Sequence, residues 1–204
     1  MSDLLYDGPE DGPVFLFAHG AGAPMDSEFM EAIASGLAGR GARVARFEFP
    51  YMARRREDGK KRGPDAMKKL EAAFEEAAGA FDAGALFIGG KSMGGRVASR
   101  VAAGLGVKGV MCLGYPFHPP GKPEKLRTAH LEELEVPTLI LQGERDPFGK
   151  PEEVEGYALS EAIEVSWIGD GDHSLKPRKR SDYTLEGNLA AAVEQMWSFM
   201  TRPG

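Results

Sequence analysis

The chain has 204 residues, of which 42% are hydrophobic and 27% charged. That length suits one domain of ~100–200 residues with a core of its own, and that composition argues against wholesale disorder. Lys and Arg number 25 against 31 Asp and Glu, a net charge of −6. Such an acidic chain offers no general attraction to phosphate backbones, so nucleic acid is not an expected partner. Its one cysteine, Cys112, lies in the apolar run Val110–Leu113 and reads as a small buried hydrophobe. A lone cysteine fits a reducing compartment, and the first residues lack a basic, apolar leader. No apolar run nears the ~20 residues that span a bilayer. The expectation is a cytoplasmic protein with no membrane partner.

Short apolar runs alternate with helical patterns along the chain. Val14–Ala18 is the first run, and Phe29, Ile33 and Leu37 then mark a helix face. Arg43–Phe49 alternates at period two, which predicts a strand. The segment from Tyr51 to Pro64 is polar and basic, with Arg54, Arg55, Arg56, Lys60, Lys61 and Arg62 around Glu57 and Asp58. It reads as a solvated, partly neutralised loop, or else as an attractor for an anionic substrate. Met67, Leu70, Phe74, Ala77 and Phe81 form the next helix face, and Ala85–Ile88 the next strand. Gly109–Leu113, Thr138–Leu141 and Ile163–Ile168 complete six strand-like runs, and Leu185 to Met200 closes with a helix. Four of the runs are nearly continuous apolar segments, as in parallel strands buried on both faces. The expected fold is a single α/β domain over residues 1–204: a three-layer α/β/α sandwich with a mostly parallel sheet of six or seven strands. Between the fourth and fifth runs, Pro116, Pro119, Pro120 and Pro123 predict an extended, stiff loop over Gly114–Glu124.

The sharpest chemical signal is Gly90-Lys91-Ser92-Met93-Gly94-Gly95. It follows a strand and precedes the helical stretch Arg96–Ala102, which is the strand–turn–helix setting of a nucleophile elbow. A turn that sharp needs small residues two before and two after the serine. It would also aim the Met93 N–H at a reacting carbonyl oxygen. Such a serine needs a base, and four histidines are available. His19 belongs to the turn after the first strand, His118 to the proline-rich loop, and His130 to a short helical segment, Thr128–Leu134. His173, in Gly169-Asp170-Gly171-Asp172-His173-Ser174 after the last strand, is the base by position. Asp146, in the turn Gly143-Glu144-Arg145-Asp146-Pro147, is the orienting acid, with Asp170 and Asp172 as alternatives. The order Ser, Asp, His is that of α/β-hydrolases and differs from other serine-triad folds. Ala18-His19-Gly20-Ala21-Gly22-Ala23-Pro24 should supply a second oxyanion donor, with Ala21 favoured over Gly22.

These motifs, from Val14 to Met200, resemble an α/β-hydrolase. Phe47-Glu48-Phe49-Pro50-Tyr51, Gly114–Pro123 and Gln142–Gly149 resemble in particular the small, lidless serine hydrolases near the dienelactone hydrolases. The resemblance implies a serine nucleophile, a two-N–H oxyanion hole, a small-molecule acyl substrate and no cofactor. Residues 1–13 leave almost no room for the amino-terminal antiparallel strands of larger members, and no lid insertion follows the fourth strand. Tyr51, Tyr115, Phe117 and Phe148 fall just past strand ends and are expected along the substrate pocket. No His, Cys or Glu cluster has metal-ligand spacing.

Two other readings compete. Ala85–Ser92 matches a relaxed phosphate loop, which would mean nucleotide binding, but Leu86, Phe87 and Ile88 occupy positions that must wrap an anion. A non-catalytic interaction protein of the same fold is the other. It would have no need of all three triad residues.

Overall fold

The computed structural model describes residues 4–202. Met1–Asp3, part of the leader reading, lie outside the described residues. Seven strands form one sheet: β1 (Leu5–Asp7), β2 (Val14–Ala18), β3 (Arg43–Phe47), β4 (Leu86–Lys91), β5 (Gly109–Leu113), β6 (Thr138–Gly143) and β7 (Ile163–Ile168). Their order is β1-β3-β2-β4-β5-β6-β7, with β4 at the centre. All neighbours pair in parallel except β1, which runs antiparallel to β3. The crossovers carry α1 (Glu28–Ala38), α2 (Pro50–Asp58), α3 (Met67–Ala78), α4 (Met93–Leu105) and the single turn α5 (Pro151–Val154), and α6 (Leu185–Thr201) follows the last strand.

Strand pleating sorts the apolar side chains into two cores. Phe15, Phe17, Val44, Met111 and Leu139 face α1 and α6, where Ile33, Leu37, Val193 and Met196 cover them. Their alternates Leu16, Ala45, Ile88, Cys112 and Ile140 share the other core with Leu70 and Phe74 of α3 and Val97 and Val101 of α4. Side chains that alternate between two helix-covered faces make the sheet a buried middle layer, so the architecture is α/β/α. Residues 114–137, between β5 and β6, hold one 3-10 turn, Ala129–Leu131, and no lid.

Two segments depart from the sequence reading. Residues 50–58, expected as loop, form α2. Pro50 sits in its first turn and Gly59 closes it in the left-handed conformation at φ 70°. Proline pre-sets the helical φ and glycine tolerates the left-handed cap, so these two residues bound a helix that only Tyr51 and Met52 tie to the core. Three of the six basic residues in this helix and the stretch after it are paired: Arg54 with Asp65, Arg56 with Glu48 and Asp26, and Arg62 with Asp58. The second departure is β1, a three-residue antiparallel edge strand within residues 1–13, where almost no room for such strands is expected. Buried Arg46 anchors it, with Nε 3.0 Å from Asp7 Oδ2 and another nitrogen 2.9 Å from the Met25 carbonyl.

Leu86–Ile88 lie wholly within β4, so the stretch that mimicked a phosphate loop is buried strand and cannot cradle an anion.

Candidate active site

Four connections meet at the carboxyl ends of the central strands, where open parallel sheets place their sites. The first is the turn from β4 into α4. Ser92 occupies it with φ 52° and ψ −113°, a strained conformation for a residue with a side chain, costing about 1–3 kcal/mol. Its surroundings hold it there. A Cβ at Gly90 would lie 2.5 Å from the Gly94 carbonyl carbon and 2.6 Å from the Ala18 oxygen. One at Gly94 would lie 2.5 Å from the Ala18 oxygen and 2.7 Å from the His19 oxygen. Both glycines are therefore required by backbone packing against the end of β2. The Ser92 N–H donates to the Leu113 carbonyl at 2.9 Å, which ties the turn to β5.

The second connection follows β6. Asp146 is fully buried. Its Oδ1 accepts the Phe148 N–H at 2.9 Å, and its Oδ2 accepts Gln142 Nε2 at 3.0 Å. The third connection, after β7, brings His173 between the two. His173 Nδ1 is 2.8 Å from Asp146 Oδ2, and its Nε2 is 2.9 Å from Ser92 Oγ. A carboxylate only accepts, so Nδ1 carries the proton and the neutral ring presents the Nε2 lone pair to the serine hydroxyl. The alternative acids are engaged elsewhere. Asp170 pairs with Arg145 and Arg178 at 2.9 and 2.7 Å. Asp172 Oδ1 accepts the N–H groups of Ser174 and Lys176 and so folds the loop that carries the histidine.

The fourth connection, after β2, is held by a histidine and a tyrosine. His19 is fully buried. Its Nε2 accepts the Phe49 N–H at 3.1 Å, so Nδ1 is protonated and donates to the Gly20 carbonyl at 2.7 Å. Burial also holds its pKa below the usual 6.5, which favours the neutral ring those bonds require. Tyr51 donates its hydroxyl to the Ala21 carbonyl at 3.0 Å. With those carbonyls fixed from behind, the following N–H groups have a set direction. Met93 is the first residue of α4, and an N–H in a first helical turn has no intrahelical acceptor.

Around Ser92 and His173 lies a cavity of about 340 Å³, walled by Gly20–Ala23, Phe29, Met30, Lys91 and Phe148. Of the four aromatic residues expected along it, Phe148 lines it, with its ring centroid 4.2 Å from that of His173. Tyr51, Tyr115 and Phe117 are buried instead. Tyr51 braces the loop after β2, while Tyr115 and Phe117, in the proline-rich segment, pack on each other at 4.8 Å in the core. Position past a strand end does not distinguish a ring in the cavity from one folded back under it. His130 contacts Ser99 Oγ at 2.9 Å and is not among this cavity's walls. A larger groove of about 640 Å³ between α1 and α6 is walled by residues such as Ala32, Leu189 and Val193 and holds no nucleophile or histidine. Among the described residues, no group of three or more His, Cys, Asp or Glu could hold a metal. Among the described residues, no helix is long and apolar enough to cross a membrane.

Gln142 and Lys91 were not singled out from the sequence. Gln142 is fully buried and accepts the Tyr115 N–H at 2.7 Å besides donating to Asp146. A glutamine inside an apolar strand, four residues before the acid, was the available signal.

The chain belongs to the alpha/beta hydrolase domain family, whose model matches residues 11–201. Solved structures agree on the fold. A monoacylglycerol lipase from Paleococcus ferrophilus superposes with a TM-score of 0.71 at 16% identity, over 98% of this chain and 99% of that one. Est1E from Butyrivibrio proteoclasticus gives 0.67 at 16% identity, over 98% and 94%. XC6422 from Xanthomonas campestris, described as a serine hydrolase without a lid, gives 0.66 at 21% identity, over 95% and 88%.

Proposed function

We propose that the protein is a serine hydrolase that cleaves a carboxylic ester-like bond, in an ester, lactone or thioester, through an acyl-enzyme on Ser92, His173 and Asp146. The observation that carries this reading is the hydrogen-bonded chain from Ser92 Oγ to His173 Nε2 at 2.9 Å and from His173 Nδ1 to Asp146 at 2.8 Å. His173 takes the hydroxyl proton as Oγ attacks the carbonyl carbon, and Asp146 stabilises the resulting imidazolium. The tetrahedral oxyanion rests on the N–H groups of Met93 and Ala21, each worth about 3–4 kcal/mol in comparable sites. His173 then protonates the leaving group. Water, deprotonated by the same histidine, releases the acid and restores the serine.

The mostly apolar walls Ala21, Ala23, Phe29, Met30 and Phe148 suit a small, uncharged acyl group, and about 340 Å³ is at the lower end of small-molecule sites. A panel of p-nitrophenyl esters of rising acyl length tests this. The wild type should turn over short esters faster than long ones, and Ser92→Ala should lose that turnover. A folded wild type inert toward every ester would favour the non-catalytic reading.

A further inference from the structure

Lys91 stands immediately before the proposed nucleophile and ends β4. Its side chain is buried, yet among the described residues no carboxylate forms an ion pair with it. The Nζ instead donates to the main-chain carbonyl of His173 and lies 5.4 Å from the centre of the Phe29 ring. Among the described hydrogen bonds, no other reaches the His173 main chain. The space for this contact comes from Gly114, at φ 64°, where a Cβ would fall 2.9 Å from Lys91 Nζ and 2.8 Å from the His173 oxygen. A long cationic side chain has thus been threaded past a glycine to grip the backbone of the one residue that must face the serine.

The cost of that arrangement argues for a use. Burying an amine with no carboxylate in direct contact is unfavourable, and burial pulls Lys91 down to about 8, against the opposing fields of Asp146 and Asp172. Either protonation state still donates an N–H, so the grip survives the change. The Asp172 turn and the Arg145 bonds to neighbouring carbonyls fold the loop as a whole. They do not reach His173 itself.

We propose that Lys91 is a positioning residue for the base, clamping the His173 carbonyl so that the imidazole stays within reach of Ser92. The proposal rests on the serine-hydrolase reading above. Lys91 and Ser92 are consecutive, so the clamp measures the histidine's position from the nucleophile's own backbone. Misplacing a reacting group by about 1 Å can cost 10²-fold in rate.

The test compares wild type with Lys91→Met and Lys91→Ala, using neutral p-nitrophenyl butyrate, anionic mono-p-nitrophenyl succinate and a fluorophosphonate. The expected result is a kcat lower by about 10–100-fold for both esters, with KM within about two-fold and fluorophosphonate labelling slowed in parallel. Propylamine, which replaces the missing atoms beyond Cβ, should restore part of the kcat of Lys91→Ala and none of that of Lys91→Met. If Lys91→Met does not fold, the propylamine dependence of Lys91→Ala decides. Unchanged kcat would overturn the proposal. So would a loss confined to KM for the anionic ester, which would make Lys91 a substrate-binding cation. A wild type that neither turns over ester nor takes the label would sink the serine-hydrolase reading itself, and this proposal with it.

Discussion

Gln142→Met removes the polar group that braces the acid while keeping a side chain of similar length. Four contacts go with it: one accepted from the Tyr115 N–H at 2.7 Å, and three over which Nε2 spreads its two hydrogens, to Asp146 Oδ2 at 3.0 Å and to the Tyr115 and Gly149 carbonyls at 3.2 Å. Gln142 has no exposure, so the groups left behind do not face bulk water. Leaving the Tyr115 N–H buried without an acceptor costs about 1–3 kcal/mol, and each carbonyl bond lost about 0.5–1.5 kcal/mol. With about 1.5–3 kcal/mol more for the bond to the Asp146 carboxylate, and the hydrogen shared by the two carbonyls counted once, the total is about 3–7.5 kcal/mol, which at ~2–4 °C per kcal/mol for a chain of this size lowers Tm by about 6–30 °C. Activity should fall less than stability suggests. Asp146 keeps the Phe148 N–H and the His173 proton, so the loss is bounded by one bond to a carboxylate, about 1.5–3 kcal/mol or at most ~10²-fold in kcat/KM. Thermal melts and ester kinetics on the variant read both quantities. A Tm within about 1 °C of wild type would refute the claim that Gln142 satisfies buried groups around Asp146.

Gly94→Ala should destabilise the fold and depress kcat together, because the new Cβ meets the Ala18 and His19 oxygens and pushes the elbow away from the loop after β2. A well-folded Gly94→Ala with full activity would contradict that packing. Stability should also fall as pH drops from about 6.5 to about 4. His130 is held down to about 4, first by burial and then by Arg100 and Arg96, against 6.5 when free. In that window the unfolded chain binds a proton that the folded one refuses, so the stability present above it is lost on acidification. Buried His19 shifts in the same direction. Tm followed between pH 7 and 4.5 should decline more steeply in wild type than in His130→Gln, and parallel curves would exclude His130 as a source.

How much of this was legible in the sequence depended on whether the signal was local. The strands were, since continuous apolar runs of strand length such as Val110–Leu113, rich in branched residues, suit burial on both faces. Gly90 and Gly94 marked the elbow because the turn's geometry forbids anything larger. The contact of Ser92, Asp146 and His173 was foreseen by chain order and elimination, with the distances left to the fold. What escaped was decided by tertiary contact. Helix α2 has too few apolar residues to show a period, and only its bounding Pro50 and Gly59 announce it. Tyr115 and Phe148 look alike as aromatics past strand ends, yet Tyr115 turns under its loop, its hydroxyl donating to the Arg127 carbonyl at 3.1 Å. Lys91 reads as a variable position within the elbow motif, and the carbonyl it grips lies 82 residues away.

The central claim is that Ser92 is activated by His173 to attack an acyl carbon. Mass spectrometry of the folded protein after brief exposure to a fluorophosphonate tests it most directly. The account predicts one adduct, on the peptide carrying Ser92, formed rapidly in wild type and far more slowly in His173→Ala. An adduct on another residue, or labelling at equal rates with and without the His173 imidazole, would contradict it.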